Sequence, residues 1–181
     1  MPKPGLTREA ILDAAVALLD RHGMEALSMR RLGAALGVEA MSLYNHIPSK
    51  SELLDGIHER ILLSLDQPAG EMVRELAEPQ VLDGFDANGK PILRPARRKI
   101  TLRMLLTHTA GFVYPSWNAS SNRYVEATGM PTTMSGKLAA LNAPLGFDPS
   151  ERWEYGINID WAGRMVEKVS DQDLDSYMRI N

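Results

Sequence analysis

Two groups of side chains in this sequence are of types that can do chemistry. Ser28 and Lys50 each stand where a helix is expected to begin, and the free N–H groups and dipole of a helix N-terminus favour an anion. Tyr44 and His46 can each donate one hydrogen bond to a phosphate oxygen, a contact that fixes register without reading sequence. Between them lie Ala40, Met41, Ser42 and Asn45. An Asn amide pairs bidentately with adenine, and Ala or Met fits against a thymine methyl, so these four are candidates for base edges. Each residue also has a plainer use. Tyr44 can pack its ring in a small core, His46 can cap a helix end, and Met41 can belong to the packing. Lys50, Arg30 and Arg31 can be solvated surface. The second group is a phenol, Tyr155, near Trp153. A free phenol titrates near pH 10, so alone it supplies no nucleophile at neutral pH.

The elements that must position the first group follow from periodicity and caps. Thr7 is a good N-cap, and Ile11, Ala14, Ala15, Leu18 and Leu19 make the apolar stripe of a helix over residues 8–22. Gly23 predicts a left-handed stop. Ser28 caps a second helix with the stripe Leu32, Ala35 and Leu36, and Gly37 lets the chain turn sharply. Val38 is an apolar plug. Residues 39–45 predict a third, short helix ended by Pro48. Ser49 caps a fourth helix from Lys50 to about Leu65, with Leu53, Leu54, Ile57, Ile61 and Leu62 on one face. Two short helices joined by a tight turn are the layout that sets one helix in the DNA major groove.

Bulk properties narrow the classes. The chain has 181 residues, 44% hydrophobic and 24% charged, ordinary values for a globular protein. It has no cysteine, hence no disulfide framework and no thiolate chemistry. No apolar run nears the roughly 18 residues that span a bilayer. The start, MPKPGLTREA, lacks the apolar segment of a secretory signal, so a cytoplasmic protein is expected. Residues 1–65 carry seven Lys/Arg against eight Asp/Glu, and the rest thirteen against fifteen. Neither half is a polycation, so any nucleic-acid contact must come from a local cluster of charge.

LTREAILDAAVALLDRHGMEALSMRRLGAALGV followed by LYNHIPSKSELL resembles the TetR family of bacterial repressors, over residues 6 to about 63. The resemblance implies that residues 39–45 are the recognition helix and that Ser28, Tyr44, His46 and Lys50 match positions that meet phosphates. Glu39-Ala-Met-Ser replaces the small polar residue and Gly of many members, so the base preference does not carry over.

From about residue 66 the texture changes. Val81–Phe85, Asp86-Ala-Asn-Gly and Pro91–Arg94 predict a hairpin around an Asn-Gly turn. Thr101 caps a short helix over 102–107, and a loop is expected from Tyr114 to about Ser135. Residues 136–142 read as helical, and Trp153–Gly156 as extended. A helix follows over 158–169 with Trp161, Ala162, Met165, Val166 and Val169 inward, and a last one starts near Asp171. ITLRMLLTHTAGF, PSERWEYGINIDWAGRMVEKVS and VLDGFDANGKPILRPA resemble the class C β-lactamase and family VIII carboxylesterase group of serine hydrolases. The resemblance implies a nucleophilic Ser in an S-x-x-K helix, a Tyr box and a K/H-T/S-G strand. Tyr155 matches the Tyr of that box, while Ile157 stands where its Asn usually lies, with Asn158 adjacent. No Ser of this chain has Lys three positions on, and no Lys-Thr-Gly or His-Thr-Gly is present. Without an activated nucleophile acyl transfer has no first step, so no catalytic residue is expected and Tyr155 is a vestige packed beside Trp153.

The expected architecture is mainly α: an N-terminal helix-turn-helix bundle over 1–65, then an incomplete β-lactamase-like α+β fragment over 66–181, with a joint at Pro68 and Gly70. In the resembled hydrolases the central sheet comes from the two chain ends, so Leu105, Leu106, Phe112, Trp161 and Met165 are expected to lack cover. The leading expectation is a transcriptional regulator whose partner is double-stranded DNA. A small-molecule effector and a homodimer go with it, and no cofactor, metal or membrane. The alternatives are a hydrolase, or a second half that serves only dimerisation or ligand sensing.

Overall fold

The computed structural model describes residues 6–180; the first five residues of the N-terminal stretch, and Asn181, lie outside it. The chain divides into two compact units, Met1–Ser64 and Leu65–Asn181. It is mainly α, with eight α-helices and one two-stranded sheet among the described residues.

In the first unit the caps are made locally. Thr7 Oγ1 accepts the Ala10 N–H at 3.2 Å and opens α1, Arg8–His22. Gly23 ends it with φ 71° but ψ 178°, an extended glycine-only exit rather than the left-handed turn expected. A 3-10 turn, Met24–Ala26, leads to α2, Met29–Leu36, where Ser28 Oγ accepts from Arg31 N at 3.2 Å. Gly37 is left-handed (φ 69°, ψ 33°) and turns the chain into α3, Ala40–Leu43. This helix is shorter than the expected 39–45. Pro48 disfavours helical backbone at Ile47, so the chain unwinds through turns in which Tyr44 N and His46 N donate to Met41 O and Leu43 O. Ser49 Oγ accepts from Glu52 N at 3.1 Å at the start of α4, Lys50–Ser64.

Ile11, Leu12, Ala15, Leu27, Met29, Leu32, Leu43, Ile47, Leu53 and Ile57 form the core of this unit. Burying each large side chain contributes about 1.5–3 kcal/mol. Ala35 lies outside it, exposed, and Gly33 is buried instead because a Cβ there would stand 2.8 Å from Val38 O. The stripe of α4 also stops early. Leu53 and Ile57 are buried, but Ile61 and Leu62 are exposed, because the core covers only the first turns of a helix some 22 Å long. Farther along, Arg60 pairs with Asp13 of α1.

The second unit is built around a hairpin, β1 Gln80–Phe85 and β2 Pro91–Pro95, antiparallel with Leu82 opposite Leu93 and a bulge between Leu82 and Gly84. Asp86 Oδ1 accepts from the N–H groups of Asn88 and Lys90, both at 2.8 Å, and Gly89 has φ 80°, so the expected Asn-Gly turn forms. The other edge of β1 pairs with Leu145: Leu82 N donates to Leu145 O at 2.9 Å, and Leu145 N to Gln80 O at 2.8 Å. Thr101 caps α5, Leu102–Leu106.

The expected loop 114–135 contains a helix, α6, Ala119–Thr128. Asn118 caps it through Ser121 N at 3.0 Å and left-handed Gly129 closes it. Only Ser121 of α6 is buried, so there was no apolar stripe to read. Residues 136–142 yield only a 3-10 turn, Leu138–Asn142, after left-handed Gly136. Residues 152–155 belong to no strand, although Glu154 N donates to His108 O at 3.1 Å. α7, Asn158–Ser170, and α8, Leu174–Ile180, complete the unit.

Its core gathers Val81, Ile100, Leu105, Phe112, Leu145, Ile157, Trp161 and Met165. Leu105, Phe112, Trp161 and Met165 are therefore covered, contrary to the expectation from a missing sheet, and only Leu106 stays exposed at 49%. They cover one another: the Phe112 and Trp161 rings stack at 5.9 Å. Val169, expected inward, is 72% exposed where α7 runs past the core. A part-buried ion pair ties the hairpin to the loop after Leu145. The Asp148 carboxylate accepts Arg94 Nη1 and Nη2 at 3.0 and 2.7 Å and Arg97 N at 2.9 Å. Arg94 above all, with the Arg97 amide, lowers the Asp148 pKa from 3.8 to about 2.

Candidate nucleic-acid interface and hydrolase remnant

The residues expected to contact nucleic acid fall on the exposed side of α3 and at two helix N-termini. Met41, Tyr44 and Asn45 are all exposed, spaced three and four apart along α3 and the turn after it. Met41 is 70% exposed, so it is not a packing residue. Tyr44 is 38% exposed and is not among the residues that form the core. Ala40 packs partly against the core and Ser42 is half-buried, leaving them less surface than expected. Asn45 lies in the turn beyond α3 rather than in the helix. At the helix starts, Ser28 is exposed although its oxygen accepts the cap bond, and its hydroxyl hydrogen stays available for a further bond. Lys50 opens α4, exposed. The His46 backbone closes the turn after α3, while its ring is exposed. Arg30 and Arg31 are exposed in the first turn of α2, without an ion pair among the described residues.

In the second unit Tyr155 belongs to an aromatic cluster. Its ring centroid is 4.6 Å from His108, 5.6 Å from Tyr114 and 5.8 Å from Trp117. Trp153, the expected neighbour, meets the His108 ring instead, at 6.3 Å. His108 carries a positive φ of 55°. Its Nδ1 lies 3.2 Å from Asn158 Nδ2, which also donates to Phe112 O at 3.3 Å. Burial lowers the His108 pKa, which favours the neutral ring. Burial raises the Tyr114 phenol, with Asp160 and Tyr155 adding to the rise. Asn158 is fully buried, and its Oδ1 has no hydrogen-bond partner among the described residues. No described hydroxyl is hydrogen-bonded to the His108 ring, and no described group of three or more His, Cys, Asp or Glu is spaced to hold a metal ion. The chemistry this cluster offers is stacking and hydrogen bonding. Sequence reading missed the His108–Asn158–Tyr155 arrangement because its members lie far apart in the chain; the LLTHTAG stretch was the one pointer to His108.

Comparison with known proteins assigns a class to each unit. Residues 11–57 match the family model "Bacterial regulatory proteins, tetR family", and residues 53–181 match the β-lactamase family model. The chain belongs to the β-lactamase family through its larger part, and carries ahead of that part the N-terminal domain of the TetR-family regulators. Among individual relatives, the acyltransferase mokF of Monascus pilosus is 37% identical over 124 residues, 68% of this chain and 30% of the relative. The HTH-type transcriptional repressor DrrR1 of Streptomyces coeruleorubidus is 47% identical over 161 residues, 88% of this chain and 52% of the relative. Unliganded simvastatin synthase from Aspergillus terreus superposes with a TM-score of 0.60 at 38% identity, over 68% of this chain and 32% of that one. The chain thus spans about a third of its hydrolase-fold relatives and about half of this repressor. No helix of the described residues is long and apolar enough to cross a membrane.

Proposed function

We propose that this chain is a DNA-binding transcriptional regulator of TetR type, acting as a repressor. The observation that carries the reading is the helix-turn-helix of α2 and α3, turned by left-handed Gly37 and presenting Met41, Tyr44 and Asn45 outward. In this reading Ser28, Tyr44, His46 and Lys50 hold phosphates, and Ala40, Met41, Ser42 and Asn45 face base edges. Arg30, Arg31 and Lys50 supply the local positive charge that the net charge withholds. A single such module binds duplex DNA weakly, so the operator-bound form is a homodimer in the cytoplasm. The second unit is not catalytic: it has the Tyr of a hydrolase box but no S-x-x-K. Its role is dimerisation or the sensing of a small-molecule effector, a role favoured by a core that closes although the nucleophile is missing.

The test is titration of the purified chain against genomic DNA fragments at 50 and 200 mM salt. The expected outcome is a minority of fragments bound tightly, with affinity falling steeply with salt as counterions are released. Equal affinity for every fragment, or none for any, would refute the reading.

A further inference from the structure

One cavity in the second unit has no part in the Tyr155 cluster. It measures about 380 Å³ and opens to solvent. That volume falls in the range of small-molecule sites. Its floor is apolar and buried: Leu76, Phe112, Leu145 and Trp161 line it, and each is at most 4% exposed. Its rim carries two carboxylates, Glu75 and Glu78, both exposed and neither in an ion pair with a described residue. No Lys, Arg or His lines it. Arg97, Arg98 and Lys99 share a neighbouring cavity with Glu78 but do not reach this one. An apolar floor under a rim with carboxylates and no cation of its own fits one ligand class, a hydrophobic body ending in a protonated amine.

We propose that this cavity is a binding site for amphipathic organic amines. The apolar part of the ligand lies against Phe112 and Trp161, whose rings stack at 5.9 Å and give a flat wall. The ammonium sits at the mouth between Glu75 and Glu78, still partly hydrated, so the carboxylates set selectivity more than affinity. The site is formed by segments from residue 75 to residue 161, all within the second unit. It goes beyond the DNA-binding reading by naming what the second unit recognises, and it is tested without DNA, so its failure leaves that reading untouched.

The experiment is a fluorescence titration of the full chain with dansylcadaverine, which carries a primary amine, and with its uncharged N-acetyl derivative. Saturable binding of the amine is expected, at least fivefold tighter than the acetylated probe. The double variant E75Q/E78Q, an exposed change that leaves the core intact, should bring the two probes to equal affinity. Ala143→Phe, which fills the cavity from its lining, should weaken both probes at least tenfold, with circular dichroism reporting that the variant is folded. If the variant fails to fold, the E75Q/E78Q comparison decides alone. Absence of saturation, equal affinity of the two probes for the unaltered chain, or a preference that survives E75Q/E78Q would each overturn the proposal.

Discussion

In the first unit the core residues Ile11, Leu32, Leu43 and Leu53 come from four consecutive helices joined by turns of a few residues. In the second the core is stitched from distant segments: Ala69 N donates to Ile100 O, β1 pairs with Leu145, and Phe112 stacks on Trp161. The chemistry follows the same contrast. The candidate contact residues of the first unit lie within 23 positions, 28 to 50, and their caps and core are contained in that unit. The second unit keeps its packing although no Ser of the chain has Lys three positions on. Packing and catalysis thus divide a fold differently. A core can close when its own long-range pairs are all present, whereas a reaction fails when one atom is missing.

The sharpest way to break this comparison is to empty one core and watch the other. Leu53→Ala removes a side chain that is fully buried among α1, α2 and α4, and should cost about 2–5 kcal/mol. In a first unit this small, that is most of the stability. The expected outcome, read by thermal denaturation and proteolysis, is loss of protection over residues 8–64 together with loss of fragment binding, while residues 65–180 keep theirs. If both units melt together, the separation of their cores does not extend to cooperativity.

Within the first unit, the two proposed kinds of contact respond differently. Asn45→Ala should cost about 1–3 kcal/mol of discrimination between fragments and leave the salt dependence nearly unchanged. Lys50→Ala should weaken binding to all fragments alike and reduce the slope of log K against log salt by about one. Parallel titrations over a salt series separate them. A flat response to Asn45→Ala would remove it from the base-reading set, as its position in a turn beyond α3 already invites testing.

Acid sharpens the second unit in turn. The Asp148 carboxyl lies below its ordinary value, at about 2, because Arg94 and the Arg97 amide stabilise its charged form. A depressed folded-state pKa contributes stability above the unfolded value near 4, and that contribution is lost as pH falls through about 2. Thermal melts of the second unit should therefore drop between pH 4 and pH 2. Asp148→Asn should lower the midpoint at neutral pH and flatten that drop. A residual slope is expected, since Asp66 (through Arg103) and Asp173 (through Ser176) are lowered in the same direction.

What the sequence made legible divides along the same line. Thr7, Ser28, Ser49 and Gly37 each act on backbone within four residues, so the helix starts and the turn of the first unit could be read directly. The Asn-Gly hairpin is equally local. α6 was missed because it shows a cap but no apolar stripe. The cover over Leu105 and Trp161 was missed because it comes from partners dozens of residues away, and no periodicity encodes such pairs. At the candidate interface the residue types and order were legible, but the exposure of Met41 and the partial burial of Ala40 depend on how α3 leans on α2, which spacing alone does not fix.

The smallest effect is expected where the family signature is strongest. Tyr155 is 44% exposed, its ring rests on His108, Tyr114 and Trp117, and its hydroxyl has no hydrogen-bond partner among the described residues. Tyr155→Phe keeps every ring contact and removes only that hydroxyl, so stability should change by less than about 0.5 kcal/mol. In a working hydrolase of this fold the same change would remove a base that activates the serine. Here there is no S-x-x-K serine to activate, so turnover of p-nitrophenyl acetate should stay at the buffer rate before and after the substitution. Turnover above background that Tyr155→Phe abolishes would mean that another hydroxyl of the second unit has taken over as nucleophile. The two units would then differ in fold but not in whether their chemistry is complete.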